Sequence, residues 1–294
     1  MTHPAIESGR TAVITGGSSG IGFAAAKRFF AAGMNVVIAD HNIPQGEGAI
    51  SEAWAPIRDA HPKDKGSYDV IGYSLDVADA DAVEAMKAYV YETFGDVAVL
   101  MNNAGVGGGG GPYEKLDGWR RVIATNLMGV LHGVQAFAPA MIASGKPGLI
   151  INTGSKQGIT MPPGDTAYNV SKAGVKTLTE GLQHSLRNEP NCQVSAHLLV
   201  PGSTFTGMTR GSRTEKPAGA WTSDQVIDFM MERLDAGDFY ILCPDNEVTR
   251  AMDNARMEWA MADLIENRPP LSRWHDDYKD AFAAFLAERL RSDG

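Results

Sequence analysis

Residues 13–22, Val-Ile-Thr-Gly-Gly-Ser-Ser-Gly-Ile-Gly, constrain the fold of this 294-residue chain more than any other stretch. Strand formers run into a turn with spaced glycines, and the alanine-rich Phe23 to Ala32 segment follows with good helix propensity. The order is strand, tight turn, helix. Glycine answers a steric need there: the turn takes φ values that a Cβ forbids, and the backbone must approach a bound phosphate closely. A helix starting near Ser19 then aims its free N–H groups and positive dipole end at that phosphate. A glycine trio alone also suits a plain structural turn. Val36-Val37-Ile38-Ala39-Asp40 adds independent support, because this second apolar run ends in a carboxylate 18 positions beyond Gly22. That is near the roughly 20-residue spacing of an acid that hydrogen-bonds an adenosine ribose.

Apolar runs recur at Ala12 to Thr15, Val36 to Ala39, Val70 to Leu75, Val97 to Met101, Leu149 to Ile151, Val194 to Val200 and Phe239 to Leu242. Helical segments separate them, so the chain reads as α/β: one doubly wound Rossmann domain, its seven-stranded, mostly parallel sheet covered by helices on both faces. A 44% apolar content is ample for such a core. Gly46 to Ala60 reads as a helix, and His61 to Gly66 as a solvated loop. The third run leads into Asp76-Val77, where the carboxylate either faces a ligand at the sheet's carboxyl edge or caps a helix over Ala82 to Phe94.

Asn102-Asn103-Ala104-Gly105 leaves the fourth run, and its small polar residues suit either a turn or close approach of a cofactor. Gly107 to Gly111, five glycines in a row, is a mobile rim of the site or an inert linker. Lys115 to Ser144 reads as one long helix with an apolar face through Val122, Leu127, Val130, Leu131, Val134 and Phe137. Asn126 interrupts that face, as a packing hydrogen bond or as part of a polar relay.

Ser155 follows the fifth run, and a helix opens at Thr166. Tyr168 and Lys172 stand 13 and 17 residues after Ser155 and, at i and i+4, share one helix face. A phenol is a poor base at neutral pH, and a nearby ammonium favours the phenolate, which makes Tyr168 a candidate general base. The YxxxK spacing alone is weak. The ordered set of glycine turn, Asp40, Asn-Asn-Ala-Gly, strand-end serine, tyrosine and lysine is not.

That set resembles the classical short-chain dehydrogenase/reductase family, over about Gly9 to Thr206. Thr15 to Gly22 resembles its TGxxxGIG cofactor loop, Asn102 to Gly105 its NNAG, and Pro201-Gly202-Ser203-Thr204-Phe205-Thr206 its PGxVxT segment, with Thr204 where an aliphatic residue is usual. Gly154 replaces a common serine, a change expected to enlarge the pocket. The resemblance implies a nicotinamide dinucleotide held by Gly16, Ser18, Ser19, Gly20, Ile21, Gly22, Asp40, Asp76, Val77, Asn103, Ala104, Gly105, Tyr168, Lys172, Pro201, Gly202, Thr204 and Thr206. It implies Ser155, Tyr168, Lys172 and Asn126 as catalytic residues, with Lys172 depressing the tyrosine pKa and Asn126 holding a water on the proton path. Asp40 would repel the extra phosphate of NADP, and Gly17, Ser18, Ser19, His41 and Asn42 include no Lys or Arg to offset it, so NAD is the expected cofactor. The reaction implied interconverts a secondary alcohol and a ketone. A retired NAD-binding sensor or scaffold, and an NAD-using lyase or epimerase, are the alternatives.

Beyond Thr206 the resemblance loosens, and residues 203–222 read as a substrate lid. Gln157, Met161, Phe205, Met208 and Trp221 are candidate substrate contacts; the apolar ones equally suit lid packing. The substrate expected is small and apolar, aromatic or cyclic. After a domain spanning 1–246, residues 247–294 read as a helical extension packed on it, broken at Arg268-Pro269-Pro270-Leu271. A formal charge of −9 without a basic cluster argues against nucleic acid. No uninterrupted 18-residue apolar run suggests a membrane span and no leader pattern is visible, so a cytoplasmic protein is expected. Cys192 and Cys243 lie in unrelated contexts that imply neither a disulfide nor a metal site. The family usually assembles through its Asn126-type and Tyr168-type helices, which implies a homodimer or homotetramer; Ala136, Ala140, Val175 and Leu178 are candidate outward residues.

Overall fold

A computed structural model describes residues 3–43 and 69–292. The expected helix at 46–60 and loop at 61–66 lie outside them. The seven strands are β1 (Thr11–Thr15), β2 (Asn35–Asp40), β3 (Val70–Ser74), β4 (Val99–Asn102), β5 (Gly148–Thr153), β6 (Val194–Val200) and β7 (Tyr240–Leu242). They form one sheet in the order β3-β2-β1-β4-β5-β6-β7, and every pairing is parallel. The strand order reverses direction between β1 and β4, where such sheets open a crevice at their carboxyl edge.

Alternation along the strands feeds two cores. Ile14, Ile38 and Met101 pack under helices α1 (Gly20–Ala31) and α8 (Ser223–Asp235), through Ala25, Phe29 and Met230. Val13, Val37 and Leu100 face the opposite way, toward α2 (Ala80–Phe94) and the helices that follow β4. Asp79, not Asp76, caps α2: its carboxylate accepts from Asp81 N and Ala82 N. Asp76 is thereby left to the crevice.

The expected single helix over 115–144 is three pieces: α3 (Leu116–Ile123), a π-helical turn (Ala124–Met128) and α4 (Gly129–Ala143). A π-turn inserts an extra residue into the helical register, and such turns concentrate at functional sites; this one contains Asn126. By length and composition the run could cross a bilayer. In this fold Val122, Val130, Val134, Phe137 and Met141 are instead buried, the last four against the sheet. Gly133 allows the close approach, because a Cβ there would run into the Asn102 side chain.

The remaining helices are α5 (Gln157–Thr160), α6 (Thr166–Asn188), α7 (Gly207–Arg210), α9 (Arg250–Ile265) and α10 (Lys279–Ser292). Val175 on α6 is fully buried, while Leu178 and Ala136 are partly buried against the same core. The C-terminal helices have a small core of their own. Trp259 packs edge-on against Phe282 and Phe285, at 5.4 and 5.2 Å, and its indole donates to Ser272 Oγ at 2.8 Å. Both thiols are free.

Candidate active site

The carboxyl ends of the strands border a cleft of about 1160 Å³. At one end stands the N-terminus of α1, whose Ser19 cap makes no side-chain bond and whose first turn holds no acid. Ser19, Gly20 and Ile21 line the cleft, so unsatisfied helix N–H groups face it. Gly16 and Gly20 take φ of +63° and +55°. Gly22 serves packing, since a Cβ on it would run into the Gly16 carbonyl and the Asn103 amide. Asn103 braces the turn: Nδ2 donates to Thr15 O at 3.3 Å and Gly16 O at 3.2 Å, while Oδ1 accepts from Thr153 Oγ1 at 3.3 Å.

Asp40, 7% exposed, ends β2 beside this turn. Its Oδ2 accepts from Ser18 Oγ at 2.5 Å and Ser18 N at 3.1 Å, and its Oδ1 from Asn42 N at 3.0 Å. Ser18 therefore orients Asp40 and does not itself line the cleft. Asp76 and Val77 continue the wall, and His41 is the one basic side chain lining this end among the described residues. An uncapped helix end beside a held carboxylate fits the pyrophosphate and ribose of a dinucleotide.

Ser155, Tyr168 and Lys172 converge at the other end of the cleft, with Asn103, Ala104, Gly105, Pro201, Gly202, Thr204 and Thr206 between. The Ser155 hydroxyl hydrogen-bonds the Tyr168 phenol. Lys172 Nζ donates to Thr153 O at 2.7 Å and lies 5.8 Å from the Tyr168 ring centroid. Burial lowers the Lys172 ammonium to about 8. Burial also raises the Tyr168 pKa; the Ser155 bond opposes this, and the Asp165 charge adds to it. The net shift of the phenol in the free protein is therefore upward, with desolvation of the phenolate the largest cause.

Asn126 is fully buried behind this wall. Its Oδ1 accepts from Val106 N at 2.8 Å, and its Nδ2 donates to Val106 O at 2.9 Å and Ser171 Oγ at 3.0 Å. A Cβ on Gly105 would stand 3.5 Å from Asn126 Oδ1 and 3.7 Å from Lys172 Nζ, so the three meet at one point. Both amide hydrogens and one lone pair of the amide oxygen are thus used on protein partners.

Among the substrate candidates, Gln157 and Met208 line the cleft, whereas Met161, Phe205 and Trp221 do not. Trp221 packs against Phe229 and pairs with Thr204 in an isolated bridge; Phe205 faces a separate cavity of about 320 Å³. Gly154 lines the cleft as expected, and a Cβ added there would meet Leu198 Cδ1 at 3.1 Å. Two residues escaped the sequence reading. Asp165 caps α6 and holds the glycine run, which borders the cleft at Gly107 and Gly108 and so is its rim, not an inert linker; an Asp just before a helix opening at Thr166 was its available signal. Lys156, next to Ser155, pairs at 2.6 Å with Asp253 on α9 and at 3.5 Å with Asp245. Nothing local in the sequence announces that pair.

Residues 10–217 match the family described as short chain dehydrogenase. A 3beta-hydroxysteroid dehydrogenase 2 from Eggerthella lenta is 32% identical over 219 residues, which cover 74% of this chain and 79% of that protein. A solved short-chain dehydrogenase/reductase from Burkholderia phymatum, in complex with NAD, superposes with TM-score 0.77 and 32% identity, over 92% of this chain and 98% of that one. A metagenomic short-chain oxidoreductase in complex with NADP gives TM-score 0.65 and 31% identity, over 81% and 98%. Family match, relatives and cleft agree: the chain belongs to the short-chain dehydrogenase/reductase family and is an oxidoreductase of alcohols and ketones built around a nicotinamide nucleotide.

Proposed function

We propose that the protein interconverts a secondary alcohol and a ketone using NAD(H), on an apolar substrate with a cyclic or aromatic skeleton. The observation that carries this is one cleft with a held carboxylate at the ribose end and Ser155, Tyr168 and Lys172 at the other. The bound dinucleotide supplies the hydride acceptor or donor. In oxidation the Tyr168 phenolate takes the proton of the substrate hydroxyl, and the Ser155 hydroxyl hydrogen-bonds the same oxygen as its charge changes. Lys172, held by Thr153 O, places a cation 5.8 Å from the phenol ring centroid, where it favours the phenolate. Asn126 keeps Val106 and Ser171 in place around it.

NAD follows from Asp40: a 2′-phosphate would meet a carboxylate, with His41 the only basic neighbour lining that end among the described residues. The cyclic skeleton rests on the hydroxysteroid dehydrogenase likeness. A homodimer or homotetramer in the cytoplasm completes the reading; light scattering checks the assembly.

The test is a nucleotide-reduction assay over 1-phenylethanol, cyclohexanol and a 3β-hydroxysteroid with NAD and with NADP. NAD should give the higher kcat/KM, and Tyr168→Phe should lose roughly 10²- to 10⁴-fold in turnover while still binding the dinucleotide. Near-normal turnover of Tyr168→Phe sinks the mechanism; an NADP preference sinks the cofactor assignment. Oxidation needs the deprotonated phenol, so its kcat/KM should rise as pH increases above neutrality, and ketone reduction, which needs the proton, should fall.

A further inference from the structure

The Asp165 carboxylate binds two segments that are remote in sequence. Its Oδ1 accepts from Tyr168 N at 3.2 Å and Gly110 N at 3.1 Å, and its Oδ2 from Gly108 N at 2.8 Å and Gly109 N at 3.3 Å. The first bond caps α6, the helix that carries Tyr168. The other three seize the middle of the glycine run, and Gly110 O accepts in return from Ala167 N at 3.3 Å. The run is shaped to that contact: Gly108 and Gly110 take φ of +78° and +87°, and a Cβ on Gly109 would run into Ala167. Gly107, Gly108 and Asp165 all line the cleft beside Tyr168.

A helix cap needs only one acceptor, which Ser, Thr or Asn would supply. Here the N–H groups of Gly108 and Gly109 require a second oxygen free of hydrogens. An asparagine would place its NH₂ group, or leave them nothing, at one of the two positions. The carboxylate therefore does more than start a helix.

We infer that Asp165 is a positioning residue that locks the substrate-side wall, Gly107 to Gly111, to the helix turn bearing Tyr168, so that wall and phenol hold one fixed relation before substrate enters. The inference rests on Tyr168 as the general base. Preorganised walls of this kind matter because a small misplacement of the reacting groups costs rate steeply. The charge of Asp165 also faces the phenol, together with Lys172 on the same helix and Ser155 from the end of β5, while Arg121 and Lys156 line the same cleft. Among these, Asp165 adds to the raising of the phenol pKa by burial. Removing the charge should loosen the wall and, separately, make the phenol more acidic.

The experiment compares wild type with Asp165→Asn, and with Asp165→Ser as a second variant able to cap α6. Amide exchange over 107–111 should accelerate while the interior of α6 stays protected. With the best alcohol of the panel above, KM should rise roughly tenfold or more, with kcat changed less and dinucleotide affinity held. The acid limb of kcat/KM should move to lower pH. A variant that loses only thermal stability, with exchange over 107–111, KM and pH profile unmoved, reduces Asp165 to a plain cap and overturns the inference. Tyr168→Phe, measured in parallel, separates the two failures: if it still turns over, the general base is wrong; if it is dead and Asp165→Asn behaves as wild type, only the coupling is wrong.

Discussion

The two ends of the cleft are built on different principles. The dinucleotide end is mainly a matter of backbone: a glycine turn, an uncapped helix N-terminus and a carboxylate held by Ser18 and Asn42 a short way along the chain or sheet. The substrate end depends on charged side chains reaching across remote segments: Asp165 to the glycine run, and Lys156 to Asp253 and Asp245. The backbone cradle tolerates few side chains and takes only a single remote brace, the Asn103 amide, among the described residues. Side-chain clamps tolerate many sequences around them, yet fail when one partner goes.

The sharpest way to break the first half of this contrast is Gly22→Ala. The added methyl has no room, because the Gly16 carbonyl and the Asn103 amide already occupy its place. Displacing either opens the turn that faces the phosphates, so dinucleotide affinity should fall on the order of a hundredfold, about 3 kcal/mol. Calorimetric titration with NAD reads this directly, and an affinity within a few fold of wild type would show that the turn has slack.

The second half is broken at Lys156–Asp253, whose side chains are 15% and 4% exposed. Among the described residues, Asp253→Leu leaves the shielded ammonium with Asp245, at 3.5 Å, as its remaining anionic partner. Removing one member of a buried pair costs roughly 3 kcal/mol or more. Melting temperature should drop and kcat should fall through the neighbouring Ser155, while NAD affinity changes little. Equal losses of kcat and NAD affinity would mean the two ends are not separable. Trp274 makes a second tie, its indole donating to Thr160 O at 3.1 Å, so the C-terminal extension supports Lys156 and the short helix α5 after Ser155 from two points.

This contrast also explains what could be read from the chain. The glycine turn, Asp40 and the Tyr168/Lys172 pair are local patterns whose spacing is their meaning, and all fall where the sequence places them. The seven strands follow from apolar runs for the same reason. The π-turn at Ala124–Met128 was invisible because α- and π-helical registers share one apolar pattern over so few residues. Asp165 acts on residues 55 to 57 positions away, and Lys156 on one near the start of the C-terminal extension, so tertiary structure alone defines them. Trp221 and Phe205 looked like pocket wall because an apolar residue in a lid segment looks alike whether it faces substrate or the body.

A smaller effect sharpens the dinucleotide end. Asp40→Asn keeps one acceptor oxygen but removes the charge that would repel a 2′-phosphate. Loss of a charge-assisted ribose contact is worth about 1.5 to 3 kcal/mol, so kcat/KM for NAD should fall roughly tenfold or more. NADP should gain on NAD in the ratio of the two. If the ratio does not move, Asp40 shapes the turn but does not read the ribose.

The smallest effect tests whether side-chain clamps carry pH sensitivity wherever they occur on the β6–β7 side. Ala5 N donates to His3 Nδ1 at 3.2 Å, which leaves Nε2–H facing Ser195 Oγ at 3.3 Å. Ser195 Oγ is 3.0 Å from His197 Nε2, and His197 Nδ1 is 2.8 Å from Asp238 O. A second proton on His3 has no acceptor, since its Nδ1 already faces the Ala5 N–H. Burial accordingly lowers His3 from 6.5 to about 4, with His197 adding to this and Asp235 opposing it. Between those values the unfolded chain binds the proton and the folded one does not, so stability falls as pH drops from 6.5 toward 4 and levels off below. His3 is only partly buried, and solvent screening limits the loss to about 1 kcal/mol or less. Denaturant midpoints across that range should slope less in His3→Ala than in wild type; parallel slopes would mean that the acid sensitivity arises elsewhere.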